Sequence, residues 1–254
     1  MRAFRFPDLR GLLLPVLALA AWDVTAHQSA THAYVFVPLE QVAASAWSSL
    51  ISGDLAINWL ASLARTLTGL AIGATLGIAL GALLATSKMA DALISPLYQA
   101  VRQVPLLGYV PLISLWIGND EPSKLFVVSL AAFYPTVLNT YEGLQGTSPR
   151  HLDVGRIFLA TRWQSFRRIV LPGALPAIFT GLMQATAFAW LSSIGSELFF
   201  DPGAGLGNLM LNGQSAFRMD VVLFVVIVIG VTGYLTNAAI ALVAARVLRW
   251  RPVR

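Results

Sequence analysis

Three ionisable side chains, Arg65, Arg102 and Glu197, stand where the surrounding sequence is otherwise apolar. A charge at the centre of a membrane-spanning helix costs ~2.5 kcal/mol or more, so each needs a reason to be there. A guanidinium offers forked hydrogen bonds that match the oxygens of a sulfonate or similar anion. One reading therefore puts Arg65 or Arg102, with Glu197, on a pathway for an anionic solute. The other has the arginines snorkel to the interface, or pair with Glu197 or Glu142 to hold the structure together. Other chemistry is poorly supplied. The two lysines, Lys88 and Lys124, both follow serine and neither completes a phosphate-binding loop. The three histidines, His27, His32 and His151, fall in loops, so a span-embedded serine protease lacks its base. No pair of acids lies deep in two spans, cysteine is absent, and no metal-ligand spacing is visible. No catalytic residue and no metal site are expected in this chain.

A second stretch with chemical potential is the polar island from Gln145 to Pro176. It holds Arg150, Arg156, Arg162, Arg167 and Arg168 against one acid, Asp153. Short loops rich in Lys and Arg are retained on the cytoplasmic side of a membrane, which places the island there. Val154, Ile157, Phe158 and Thr161 fall at i, i+3, i+4, i+7, the spacing of one helix face. Such a helix either lies on anionic headgroups or forms a knob for a groove on a soluble partner.

The elements that must position these residues follow from composition. The chain has 254 residues, of which 57% are hydrophobic and 11% charged, against about 25% charged in an average soluble domain. At ~20 apolar residues per span, this predicts an all-α polytopic membrane protein with about six transmembrane helices. The net charge of +5 could point to nucleic acid, but the basic residues sit in short loops beside hydrophobic spans, so membrane topology explains them and no nucleic acid is expected.

In order, the predicted spans are Gly11 to Ala26, Asn58 to Leu84, Ala92 to Ile117, Leu125 to Tyr141, Gly173 to Leu198 and Val221 to Ala245. The first also reads as a signal peptide, with Val24-Thr25-Ala26 as a cleavage site; a retained helix is favoured. The third carries Pro96, Pro105 and Pro111, which predicts a broken helix of the kind tolerated where it lines a cavity. Gly69, Gly73, Gly77 and Gly81 recur every four residues in the second span and predict a helix-packing seam. Gly203, Gly205 and Gly207 read as turn glycines before a short interfacial helix. Most of the basic residues fall in the N-terminus, the turn at Lys88, the island and the C-terminus, which puts both termini in the cytoplasm. The predicted division is an N-terminal helix and external segment over 1–57, then a five-helix core over 58–250 with a cytoplasmic coupling loop at 145–172.

The island carries a family resemblance. Permease subunits of binding-protein-dependent ABC importers have a cytoplasmic loop of Glu-Ala-Ala, three residues, Gly, nine residues, then Ile-x-Leu-Pro. Here Asp153-Val154-Gly155, Leu159 and Ile169-Val170-Leu171-Pro172 stand at the same spacing. Leu159 takes the place of the glycine, so the turn of the expected helix-turn-helix has no residue suited to positive φ. Arg102-Gln103-Val104-Pro105, Pro111-Leu112, Ser123-Lys124 and Gly205-Leu206-Gly207 resemble the nitrate, sulfonate and taurine branch. The resemblance covers residues 38 to 250. It implies a homodimeric bacterial inner-membrane permease served by an external solute-binding protein, with two ATPase subunits docking on Asp153, Val154, Gly155, Ile157, Phe158, Leu159 and Trp163. ATP and magnesium would be bound by the ATPases and no cofactor by this chain. The competing reading is a self-contained secondary transporter or channel, which predicts charges deep in several spans and an internal helix repeat.

Overall fold

The computed structural model of the chain describes residues 10–28, 36–200 and 203–250; Arg2, Arg5, His32, Arg251 and Arg254 lie outside them. Among the described residues the secondary structure is helical, with no strand. The elements are α1 (Arg10–Ala26), α2 (Leu39–Ser52), α3 (Asp54–Thr86), α4 (Lys88–Val101), a 3₁₀ turn (Leu106–Tyr109), α5 (Val110–Trp116) and α6 (Glu121–Gln145). They continue with α7 (Pro149–Ile157), α8 (Arg162–Ser165), a π-helical stretch (Phe166–Val170), α9 (Leu171–Phe199), α10 (Leu206–Ser215) and α11 (Met219–Val247). Among the described residues, three stretches are long and apolar enough to cross a membrane: α3, the run Arg162–Phe199 and α11. The six expected spans are thus unequal. α1 has 17 residues, and the third expected span is two helices with a gap at 102–105. The segment after Pro38, which has no clear pattern in sequence, forms α2 and ends at Gly53 in the left-handed region with φ 82°.

Two compact units emerge. Of the described residues, one comprises those up to 56 together with 209–228; the other comprises those from 57 to 208 and from 229 to 250. In the first, Trp22 donates its indole N–H to the Val37 carbonyl at 3.1 Å and meets Phe36 edge-on. Asp220 accepts from Ser45 and, at 2.8 Å, from Arg218.

The second unit is built around α6, whose Val127, Val128, Ala132 and Val137 are fully buried. In lipid there is little hydrophobic force between helices, so close contact and dispersion must hold them. The α3 glycines provide that contact. A Cβ on Gly69 would lie 2.5 Å from a Val128 methyl, one on Gly73 would strike the Ser129 carbonyl, and those on Gly77 and Gly81 would lie 2.8 Å from Thr136 and Thr140. α9 approaches the other side of α6 in the same way. A methyl added at Gly143 would lie 2.7 Å from Ala177, and one added at Gly181 would lie 2.7 Å from Asn139. One helix is therefore gripped from two sides by small residues.

Candidate functional site

At the end of this unit where α6 begins and α9 ends, Arg65 and Glu197 lie together, 5% and 0% exposed. Glu197 Oε1 accepts from Arg65 Nη1 and, at 2.6 Å, from Ser62 Oγ. Its Oε2 accepts from the Gly207 amide at 2.6 Å. The rest of the Arg65 fork grips Glu121, with Nε to Oε1 at 2.5 Å and Nη2 to Oε2 at 2.9 Å, while Nη2 also donates to the Ala204 carbonyl at 3.2 Å. Lys124 Nζ stands 3.6 Å from Glu121 Oε2. Asn58 accepts the Gly205 amide and Ser62 Oγ the Leu206 amide, at 2.7 and 2.9 Å. The glycines of this loop have a steric cause: a side chain at Gly205 would collide with the Glu197 carboxyl. Partial burial pushes the Glu121 carboxyl up, but the Arg65 hydrogen bonds and the Arg65 and Lys124 charges outweigh it and hold it below the usual carboxylate range.

The structure thus brings Arg65 and Glu197 together in one polar cluster, and neither lines the cavity beside Arg102. Sequence reasoning foresaw Glu197 as an available partner but missed Glu121, which reads as a turn residue because Pro122 follows it.

Arg102 is placed differently. It caps the C-terminus of α4 beside a cavity of about 500 Å³ between the chain break at 103–105, α6 and α9. Tyr134 and Leu138 line it near the middle of α6; Gln184, Phe188 and Ser192 line it from α9. Among the described residues no ion-pair partner reaches Arg102, and its buried Nε has no hydrogen-bond partner. The guanidinium carbon stands 5.9 Å from the Tyr98 ring centroid, which supports the charge through the ring face. The Tyr134 hydroxyl is also buried without a partner. Proline explains the break: Pro105 has no amide donor and disfavours helical backbone in the residue before it. The lining from α6 and α9 was missed in sequence because it comes from distant segments that share no local pattern.

The third feature is the island. α7 runs only to Ile157, and Thr161 is instead the N-cap of α8, with a capping box to Gln164, so the expected single helix face through Thr161 is divided. Leu159 adopts positive φ, 51°, although it is not glycine. The turn is closed by two hydrogen bonds, Ala160 N to Gly155 O and Leu159 N to Arg156 O, both 3.0 Å. That pair is the Schellman arrangement of a helix C-terminus, and it fixes the turn that the missing glycine left in question. Gly155 sits close to Ile169, whose Cδ1 a Cβ there would meet at 2.8 Å and push aside. Ile157, Phe158, Leu159 and Trp163 are exposed apolar side chains, with Leu159 89% exposed, and Val154 is exposed beside them. Trp163 stacks on Phe166 at 5.9 Å, and Asp153 accepts from Arg156 at 2.9 Å.

One cluster had no signal in the sequence. Asp23, His27 and Glu40 bring ligand-type atoms close together. His27 already hydrogen-bonds the Asp23 carbonyl at 2.8 Å and Glu40 at 3.2 Å, and these bonds raise its affinity for a proton. The group works as a charge-assisted link across 13 positions.

The sequence profile described as binding-protein-dependent transport system inner membrane component matches residues 73–249, which include the cavity and the island. A Bacillus subtilis (strain 168) protein named as an aliphatic sulfonates transport permease is 31% identical over 248 residues, covering 97% of this chain and 89% of its own length. A nitrate import permease of Leptolyngbya laminosa is 30% identical over 217 residues, 82% of this chain and 77% of its own. In fold, the chain is similar to a chain of the inward-facing MetNI methionine ABC transporter, with a TM-score of 0.65 and 18% identity over 76% of this chain and 96% of that one.

Proposed function

Because the chain belongs to the family of binding-protein-dependent transport system inner membrane components, and so is the membrane-spanning permease subunit of an ABC importer, we propose that it passes a small anionic solute and takes its drive from ATPases docked on α7 and α8. The observation that carries this reading is the apolar knob of Val154, Ile157, Phe158, Leu159 and Trp163, exposed along α7, the turn after it and α8 and flanked by arginines. A groove on a soluble partner would bury that knob, as amphipathic helices are bound elsewhere. Asp153 and Gly155 support it, the first by pairing Arg156 and the second by admitting Ile169. The names of the relatives, sulfonate and nitrate permeases, support an anion as solute, and the unpaired Arg102 supplies the charge to receive it.

In this reading two copies of the chain form the pathway in the bacterial inner membrane, with both termini and the knob cytoplasmic. Two ATPases bind ATP and magnesium, and an external solute-binding protein delivers the solute at the opposite end, where Arg65 and Glu197 brace the loop at 203–207. Closure of the ATPases shifts the population between inward-open and outward-open states by pulling on α7. Gly69, Gly73, Gly77 and Gly81 keep α3 and α6 moving as one body.

The test is a pull-down of the tagged chain from its native membrane, comparing wild type with Val154, Ile157 and Phe158 all changed to Ser. An ATPase should copurify with wild type and be lost from the variant while the variant stays monodisperse. If the variant retains the ATPase, the knob is not its docking site. If wild type brings none down and the knob instead binds anionic vesicles, α7 is a headgroup helix and the chain is self-powered.

A further inference from the structure

We infer that Glu142 makes the cytoplasmic mouth of the pathway repellent to anions, so that the solute is not held at the end where it must leave. This deepens the importer reading above and rests on it. Two cavities lie one after the other along the seam of α6 and α9. The first is the one beside Arg102. The second, of about 550 Å³, is walled by Glu142 and Gly143 at the end of α6, by Pro172, Pro176 and Thr180 at the start of α9, and by Trp250.

The two cavities belong to one groove. On α9, Pro172, Pro176 and Thr180 of the second lead at four-residue steps to Gln184, Phe188 and Ser192 of the first, one continuous ridge of the helix. On α6, Leu138 of the first is one turn from Glu142 of the second, ~6 Å along the axis. Asn139, which follows Leu138, donates to Gln184 at 3.0 Å and ties the two helices where the cavities adjoin.

Each cavity has a single charged residue in its wall, and the two are opposite in sign. Beside Arg102 the other polar side chains, Gln103, Tyr134, Gln184 and Ser192, are neutral. Beside Glu142 they are the Trp250 indole and Thr180, whose hydroxyl donates to the Pro176 carbonyl at 3.0 Å. Among the described residues neither charge has an ion-pair partner, although Glu142 is an acid that Arg102 could have used. The arginines of the island do not line the mouth; Arg167 and Arg168 line a different hollow with Trp163 and Gln164.

A concave wall with one uncompensated charge sets the local potential, because low-dielectric surroundings focus the field. The potential along the groove therefore changes sign within about one helical turn. Arg102 acts here through its charge and needs no contact at its buried Nε. An anion arriving from the cytoplasm meets Glu142 before it meets Arg102. The inward-open state thereby keeps a low affinity for the solute, and a difference in affinity between states is what lets the cycle release it.

The test measures that potential directly. The chain has no cysteine, so a single introduced thiol reports on its own position. Thr180→Cys and Gln184→Cys, both at exposed positions, are made one at a time and studied in nanodiscs, in the nucleotide-free complex with its copurifying subunits. Each is treated with anionic sulfonatoethyl methanethiosulfonate or with its cationic trimethylammonium counterpart, and modification of the chain is followed by mass, each rate being divided by that of a free thiol. Thr180→Cys should favour the cationic reagent by about fivefold or more, and Glu142→Gln should remove most of that preference. Gln184→Cys should favour the anionic reagent, and Arg102→Gln should remove that. Glu142 is exposed and unpaired, so Glu142→Gln leaves the fold intact even where Arg102→Gln does not. A preference at Thr180→Cys that Glu142→Gln does not move, the same cationic preference at both thiols, or a Thr180→Cys that reacts with neither reagent overturns the inference. With the ATPase present in the preparation, any of these results sinks only this inference. Absence of the ATPase from wild type sinks the importer reading whatever the reagents show.

Discussion

Arg65 and Arg102 look alike in the sequence, each a lone arginine in an apolar stretch, and the fold treats them in opposite ways. Arg65 is enclosed by Glu197, Glu121 and the Ala204 carbonyl. Arg102 lines a cavity, and its buried Nε is unmatched. The first arrangement compensates the charge within the protein and ties α3, α6, α9 and the loop at 203–207 to one another. In the function proposed for the chain, the second leaves the charge to be compensated by the passing solute. An arginine at membrane depth is therefore informative only with its partners, and in the proposed function it is the unpartnered one that meets the solute.

The widest break in this comparison comes from taking a partner away from Arg65. Glu197→Ala leaves a buried guanidinium with half its pairing lost, which should cost about 3–5 kcal/mol and show as a large fall in the thermal unfolding midpoint of the purified chain. An unchanged midpoint would mean that the cluster carries no stability. Next is the seam behind it. Gly73→Leu drives a side chain into the Ser129 carbonyl and Ala132, and overpacking of this kind costs about 1–3 kcal/mol. The loss should be read in the same assay, and Ala at the same position should do less harm than Leu.

These two regions also differ in how far they were legible. The glycine seam was readable because a four-residue period survives in one segment. The long apolar helices α3, α9 and α11 were readable from composition, and the break at 102–105 from Pro105. The Arg65 cluster was half readable: Glu197 stood out as an acid in an apolar run, while Glu121 was hidden in a turn. The cavity was not readable beyond Arg102, because Tyr134, Gln184 and Phe188 acquire their role only when α6 and α9 pack. Leu159 is a further case. Residue type argued against a left-handed turn there, yet two backbone hydrogen bonds and an open surface around the side chain let leucine adopt it.

That position gives a smaller test. A left-handed leucine costs ~1–2 kcal/mol, and glycine returns part of this through its freer unfolded chain, ~0.4–1 kcal/mol. Leu159→Gly should therefore stabilise by at most about 1.5 kcal/mol, visible as slower proteolysis of the 149–165 segment, while weakening ATPase copurification through loss of an exposed apolar contact. Faster proteolysis would show that the turn is not strained.

The smallest expected effect is on pH. Glu121 is held below its ordinary range by Arg65, so its contribution is present above the unfolded carboxylate pKa and is lost as pH falls through the lower, folded value. The unfolding midpoint should decline below about pH 4, and Glu121→Gln should flatten that decline. Glu121 is more than half exposed, which keeps the effect modest. A slope unaffected by Glu121→Gln would remove it from the cluster's energetics.

The contrast between the two arginines is tested most directly by measuring unfolding midpoint and solute uptake on the same two variants, Arg65→Gln and Arg102→Gln, in the reconstituted importer with hexanesulfonate as solute. Arg65→Gln should lower the midpoint sharply, and uptake should fall only in proportion to folded protein. Arg102→Gln should leave the midpoint unchanged or higher, since it removes an uncompensated charge, and should abolish uptake. If Arg102→Gln unfolds the chain as Arg65→Gln does, or transports hexanesulfonate normally, both arginines serve the fold and the cavity is not the path.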